Sequence, residues 1–185
     1  TDYDFNTLSF DRTKMPFEKA VGTVNAVNAA ENEAAEKRRG VHPSLWLAVT
    51  GTAVPYSNEA ALGYGLEEDD LFMLPDVAAA VRVKLNFGEQ AKAFVAVGAG
   101  GMVGFAVGDE LEKVYVAPLA QFEIGYTRFG FRETAIFPIA GSDEEQWFQF
   151  RSGVFVMLGK FNIELGYAMV TDMGNGGYVS LGFAW

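Results

Sequence analysis

From Leu45 onward, hydrophobic and polar positions alternate along the chain with a period of two. In the segment 77–87, apolar side chains occupy every second position, whereas Arg82 and its polar neighbours fall on the other face. The segments 161–170 and 177–185 alternate in the same way. One apolar face against a polar or small one is typical of a half-buried β-strand.

The same pattern predicts about eight strands, each with roughly the 9–11 residues that cross a bilayer as a tilted strand. The predicted strands are 44–54, 77–87, 91–106, 113–126, 129–139, 146–158, 161–170 and 177–185. Short turns at 88–90, 127–128 and 159–160 alternate with longer connections at 55–76, 107–112, 140–145 and 171–176. Short turns that alternate with long loops are the topology of an outer-membrane barrel. The sequence therefore predicts an all-β, antiparallel transmembrane β-barrel.

The alternation also predicts which side chains face lipid and which face the barrel interior. The expected lipid-facing residues are Leu47, Val81, Val83, Val116, Ile163, Leu165, Leu181 and Phe183. The expected interior residues are Arg82, Lys84, Glu123, Arg132, Arg151 and Glu164. An eight-stranded barrel has room for side chains only, so these charges should form an ion-paired plug rather than a gated pathway.

Three features fit this assignment poorly. Pro118 falls inside a predicted strand, where it removes a hydrogen bond of the ladder. Glu133 falls on the lipid face unless a bulge shifts the alternation. The glycine-rich stretch 98–104 does not show which side chains of the strand 91–106 face lipid and which face the interior.

The first forty residues follow a different pattern and are predicted to form a separate periplasmic arm, residues 1–40, before a barrel of residues 41–185. Pro16, the cations at 37–39 and Gly40 mark the start and end of a helix over about 17–39. A narrow apolar stripe runs along this helix at Phe17, Val21, Val24 and Val27. The stripe either packs on the barrel or binds another envelope protein, and partner binding is the hypothesis retained.

Composition narrows the possible chemistry. The chain of 185 residues has 21 glycines, no cysteine and no apolar run long enough for a membrane helix. Its net charge of −10 argues against nucleic acid as a partner. The first residues have neither a basic nor an apolar region, so a signal peptide has been removed if the protein is not cytosolic.

Acidic residues cluster in the four longer connections, at one end of the predicted barrel. They are Glu59, Glu67, Glu68, Asp69, Asp70, Asp109, Glu110, Glu112, Asp143, Glu144, Glu145 and Asp172. No loop has the spacing of an EF-hand, so no metal site is predicted. The single histidine, His42, has no serine close in sequence, and no catalytic residue or cofactor is expected.

The final residues resemble a known family. The sequence Val179-x-Leu181-x-Phe183-x-Trp185 is similar to the last strand of bacterial outer-membrane β-barrel proteins, although the commonest terminal residue there is Phe. The resemblance implies that these residues are an assembly signal for the barrel assembly machinery. The chain length is similar to that of the small eight-stranded, OmpA/OmpX-like class.

Three functions remain open from the sequence. The first is a structural, anchoring or partner-binding barrel in the outer membrane, surrounded by outer-membrane lipids. The second is transport of small or hydrophobic molecules across that membrane. The third is a soluble lipocalin-like carrier whose apolar strand faces point inward, and fold alone does not decide among them.

Overall fold

The structure, a computed structural model, places a helix before a closed barrel. It describes residues 3–4, 9–10, 17–55, 71–108, 111–139, 148–171 and 174–185. A two-residue antiparallel ladder joins β1 (Tyr3–Asp4) to β2 (Ser9–Phe10). Helix α1 (Phe17–Arg38) follows, one residue shorter at its end than the prediction.

Eight antiparallel strands then close into one barrel, as the sequence predicted. They are β3 (Gly40–Pro55), β4 (Leu71–Phe87), β5 (Ala93–Gly108), β6 (Leu111–Tyr126), β7 (Phe129–Ile136), β8 (Gln149–Leu158), β9 (Phe161–Val170) and β10 (Gly174–Ala184). Each strand pairs with its neighbours in sequence, and β10 pairs with β3 to close the wall. Beyond β10, the backbones of Leu45 and Trp185 exchange two hydrogen bonds, of 2.9 and 3.1 Å.

The strand bounds correct the sequence prediction at several ends. Strand β3 begins at Gly40 rather than 44, and β4 begins at Leu71 rather than 77. The last six residues of the predicted loop 55–76 therefore belong to the wall. Strand β7 ends at Ile136 rather than 139, although the amides of Phe137 and Ile139 still donate to β6.

The connections alternate in position as well as length. The short ones, including the 3₁₀ turn Glu89–Ala91, join strands at the end where α1 lies, here called the turn end. The opposite end is here called the loop end. The described strands end or begin there on either side of the four longer connections, which run from residue 55 to 71, 108 to 111, 139 to 148 and 171 to 174.

The three poorly fitting features have simple outcomes. Pro118 is exposed, and its carbonyl accepts a hydrogen bond from the Phe137 amide at 3.0 Å. The N–H and C=O of one residue in an antiparallel strand point to the same neighbouring strand. The nitrogen of Pro118, which has no hydrogen to donate, therefore points toward the residues that follow the end of β7. Glu133 faces outward without a bulge, directly opposite Ser152. In β5 the even-numbered residues, including Gly98, face inward.

Candidate functional site

The barrel interior contains a chain of buried ion pairs. Arg132 on β7 donates from its Nε to Oε1 of Glu123 on β6 at 3.0 Å, and its Nη1 donates to Glu164 on β9. Arg82 on β4 completes the chain with a contact of 2.7 Å to the same Glu123 oxygen. Two carboxylates and two guanidinium groups thus join four strands. Each of these four charged groups contacts a group of opposite charge.

Tyr178 on β10 extends this network. Its hydroxyl donates to Oε1 of Glu164, so this carboxylate receives hydrogen bonds from Arg132 on one oxygen and from Tyr178 on the other. The guanidinium of Arg132 also lies 4.8 Å from the ring centroid of Phe155 and 5.0 Å from that of Trp46. Arg132 is only 1% exposed, and these contacts hold its charge at the centre of the interior.

A second buried ion pair joins Asp76 on β4 to Arg151 on β8. The sequence analysis missed Asp76, because it placed this residue in the loop before a strand that starts at 77. Asp76 is six residues before Arg82 and so lies on the same inward face. If the alternation of the predicted strand 77–87 is extended toward the N-terminus as far as Leu74, Asp76 falls on the inward face.

Lys84, also predicted for the ion-pair network, occupies a different environment. It is half-buried near the turn end, and its Nζ lies 3.8 Å from the ring centroid of Phe94. The lysine therefore makes a cation–π contact rather than a direct pair with Glu123.

Neutral residues fill the rest of the described interior. An apolar layer lies nearest the loop end and contains Val54, Leu74, Leu119, Ile136 and Val170, all buried. Hydroxyl and amide groups lie beside these residues, where Thr50 donates to Ser180 at 3.0 Å and Gln149 to Thr52 at 3.4 Å. Charged and neutral side chains together line the described part of the lumen.

Inward glycines make room for the large interior rings. A Cβ at Gly153 would collide with the hydroxyl of Tyr178, and one at Gly130 would collide with the ring of Phe155. A Cβ at Gly125 would likewise collide with the ring of Phe94. Ring packing inside a narrow barrel therefore accounts for these three inward glycines.

The outer wall has the opposite character. All eight residues predicted to face lipid point outward, and their exposure ranges from half-buried Phe183 to Val81, at 60%. A belt of outward aromatic side chains surrounds the turn end: Phe87, Tyr126, Phe129, Phe131, Phe161 and Trp185. Large exposed apolar surfaces of this kind mark contact with a membrane or with another protein.

The four residues of the predicted assembly signal share this outer face. Val179 and Leu181 are exposed, Phe183 is half-buried, and Trp185 follows the end of β10. The Phe183 ring lies 5.0 Å from Phe161 and 5.2 Å from Trp185, measured between centroids. These residues form a continuous outward strip at the seam where β10 meets β3.

The arm meets the barrel through the last turn of its helix. The carbonyl of Arg38 accepts a hydrogen bond from Asn86 at 2.8 Å and lies 2.9 Å from Nε2 of His42. Ala35 is buried there, and Gln90 donates to Glu31 at 3.3 Å. His42 thus caps a helix end, a role that satisfies an otherwise unpaired carbonyl.

The apolar stripe of α1 is not covered by the barrel. Val21, Val24 and Val27 are exposed, and the side chain of Phe17 lies outside the described part of the structure. Eleven residues, about three helical turns, separate Val24 from Ala35, so the stripe shares the face that contacts the turn end.

The described residues contain neither a membrane-spanning helix nor a cluster of metal ligands. Helix α1 is not apolar enough to be a membrane-spanning helix, and no other described helix is a candidate. Among the described residues no three potential metal ligands come together. The side chains of the acidic residues in the longer connections lie outside the described residues.

The chain matches no protein-family model, no curated protein and no solved structure.

Proposed function

We propose that this chain is an integral barrel of the bacterial outer membrane, of the small OmpA/OmpX-like class, with a structural or anchoring role in the cell envelope. The observation that carries the proposal is the reversal of the usual burial pattern. Charged residues such as Arg132 are buried in the lumen, whereas Val81 and Leu165 are exposed on the wall. In water such an arrangement exposes a large apolar surface, but in a bilayer it places that surface against acyl chains.

Two further features support this environment. The aromatic belt at the turn end fits the level of the lipid headgroups, where aromatic side chains are enriched. The barrel pairs its strands in a closed ring, which satisfies the backbone hydrogen bonds of the wall without water.

The two alternative functions receive less support. A lipocalin-like carrier needs an apolar lumen for its ligand, whereas Glu123, Glu164 and Asp76 line this lumen with their cationic partners. Transport through the barrel needs an open path, but the Arg132 and Arg151 ion pairs cross the interior. Transport of small or hydrophobic molecules across the outer membrane remains the second proposal.

The arm and the last strand suggest two kinds of protein partner. We infer that the exposed stripe of Val21, Val24 and Val27 binds a periplasmic or envelope protein, because nothing of the described barrel covers it. The strip Val179, Leu181, Phe183 and Trp185 is a proposed signal for the barrel assembly machinery. Its outward position leaves it accessible before the strand is inserted.

Cell fractionation and bilayer recording together test this proposal. The full chain, expressed with a bacterial signal peptide, should partition with outer membranes and require detergent for extraction. Reconstituted barrels should show no steady conductance in planar bilayers, whereas a stable conductance would favour the transport function. Recovery of a stable soluble monomer without detergent would overturn the membrane proposal.

A further inference from the structure

A long apolar groove lies on the outer wall near the turn end. Its volume is about 870 Å³, within the range of small-ligand sites. The groove spans β4 to β9, and its main lining residues are Ile124, Tyr126, Phe129, Phe131, Val154 and Leu165. We call it the turn-end groove. An irregular apolar groove of this length suits a flexible hydrocarbon chain.

Two cations lie beside the turn-end groove. Arg128 lies in the two-residue turn between Tyr126 and Phe129, which both line the groove. Lys92 immediately precedes Ala93, which also lines it. At two separate connections, a cationic residue is thus adjacent in sequence to a residue that lines the groove.

Hydrogen bonds fix these two connections against each other. The amide of Thr127 donates to the carbonyl of Lys92 at 2.8 Å, and the amide of Met157 donates to the carbonyl of Arg128 at 2.6 Å. The backbone positions of both cations are therefore set by the barrel, and only their side chains need to be ordered when a ligand binds.

The short connections of the turn end carry more positive than negative charges, which favours the binding of an anion. The short connections of the turn end carry Lys92, Arg128 and Lys160 against a single carboxylate, Glu89. The whole chain has a net charge of −10, so it does not attract anions in general. A preference for an anionic ligand would have to come from these local cations.

We propose that the turn-end groove and its adjacent cations, Lys92 and Arg128, form a binding site for one anionic glycerophospholipid. The acyl chain lies in the groove, and the phosphate binds the two cations. The site deepens the proposed function, on which it rests, because it requires a lipid environment. It adds a specific lipid to the general contact that the wall makes with the bilayer.

Native mass spectrometry of the full chain in detergent micelles tests the site. The barrel is mixed with equal amounts of phosphatidylglycerol and phosphatidylcholine that carry identical acyl chains. Bound phosphatidylglycerol should exceed bound phosphatidylcholine about tenfold, since two basic side chains contribute. Equal binding of the two lipids would overturn the proposal.

Matched variants separate the charge contribution from the groove contribution. Lys92→Gln with Arg128→Gln should remove the preference, whereas Lys19→Gln with Lys37→Gln removes the same charge from helix α1 and should preserve it. Val154→Trp fills the groove and should reduce lipid binding, whereas Val97→Trp, at an exposed position on β5, should not. Equal effects within either pair would overturn the site.

Two outcomes distinguish the possible failures. If excess inorganic phosphate displaces the lipid, the headgroup alone binds and the groove is not a lipid site. If the barrel remains in micelles without lipid preference, this inference fails while the membrane proposal stands. A chain that stays soluble without detergent would instead overturn the proposed function.

Discussion

Glu123 on β6 and Arg132 on β7 face each other directly across the ladder, with 3.0 Å between Arg132 Nε and Glu123 Oε1. Their register makes the pair local, but Arg132 also reaches Glu164 on β9, two strands away. One guanidinium therefore neutralises carboxylates on both of its sides. This arrangement makes Arg132 the residue on which the buried network depends most.

Replacing Arg132 with methionine should destabilise the barrel by about 3–5 kcal/mol, because it leaves buried carboxylates without their partner. The measurement is the free energy of unfolding in urea, with the barrel in lipid vesicles. Lys160→Met removes a cation from an exposed turn and should change this free energy by less than about 0.5 kcal/mol. Equal, small effects of the two changes would show that the ion-pair chain contributes little to stability.

Leu165 and Phe161 test the membrane position of β9, because both face outward at different heights on one strand. Leu165→Arg places a charge near the middle of the wall and should cost about 2–4 kcal/mol in a bilayer. Phe161→Arg lies at the turn end, where the cost of the charge should be at most about 1 kcal/mol. Unfolding titrations in vesicles measure both, and the absence of any depth dependence would contradict a bilayer around β9.

Gly153 is the test of ring packing inside the barrel. A methyl group there would meet the Tyr178 hydroxyl and come within 2.8 Å of the Leu165 carbonyl oxygen. Gly153→Ala should therefore cost about 1–3 kcal/mol, the usual range for overpacking. Gly51→Ala adds the same methyl where no atom lies within 4 Å and serves as the control. A barrel that tolerates both changes equally would argue against close packing at Tyr178.

Trp185 should affect assembly more than stability. Its backbone pairs with Leu45, and a side-chain substitution leaves these hydrogen bonds in place. Trp185→Phe keeps an aromatic ring and should insert normally, whereas Trp185→Ala should lower the amount of barrel recovered from outer membranes several-fold. Protein that does insert should unfold at nearly the same urea concentration. A normal yield of the alanine variant would remove the assembly role of this residue.

The arm is tested by charges on its apolar stripe. Val21→Asp with Val24→Asp should release a bound envelope protein and leave the barrel stable, since both side chains are exposed. Ala26→Asp with Ala30→Asp places the same charges on the opposite face of α1 and should preserve binding. Crosslinking in whole cells followed by purification measures the partner, and urea unfolding measures the barrel. Loss of barrel stability in the first variant would assign the stripe to the barrel itself.

The period-two alternation and the loop lengths predicted the strand count, the antiparallel order and which side chains share one face of a strand. These properties are local, because each residue of a strand fixes the facing of the next one. The end signals around α1 predicted that helix to within one residue for the same reason. Neither composition nor alternation determined whether the apolar strand faces point outward or into the lumen, and the closed barrel places them outward.

Tertiary structure decided which charges meet. Asp76 and Arg151 are 75 positions apart, and their contact depends on the closure and tilt of the whole wall. The register between neighbouring strands, rather than closure, placed Lys84 over Phe94 and Tyr178 against Glu164. The turn-end groove likewise needs residues from β4 to β9 side by side. Pairings of this kind depend on the shear of the closed barrel, which no local pattern of the sequence encodes.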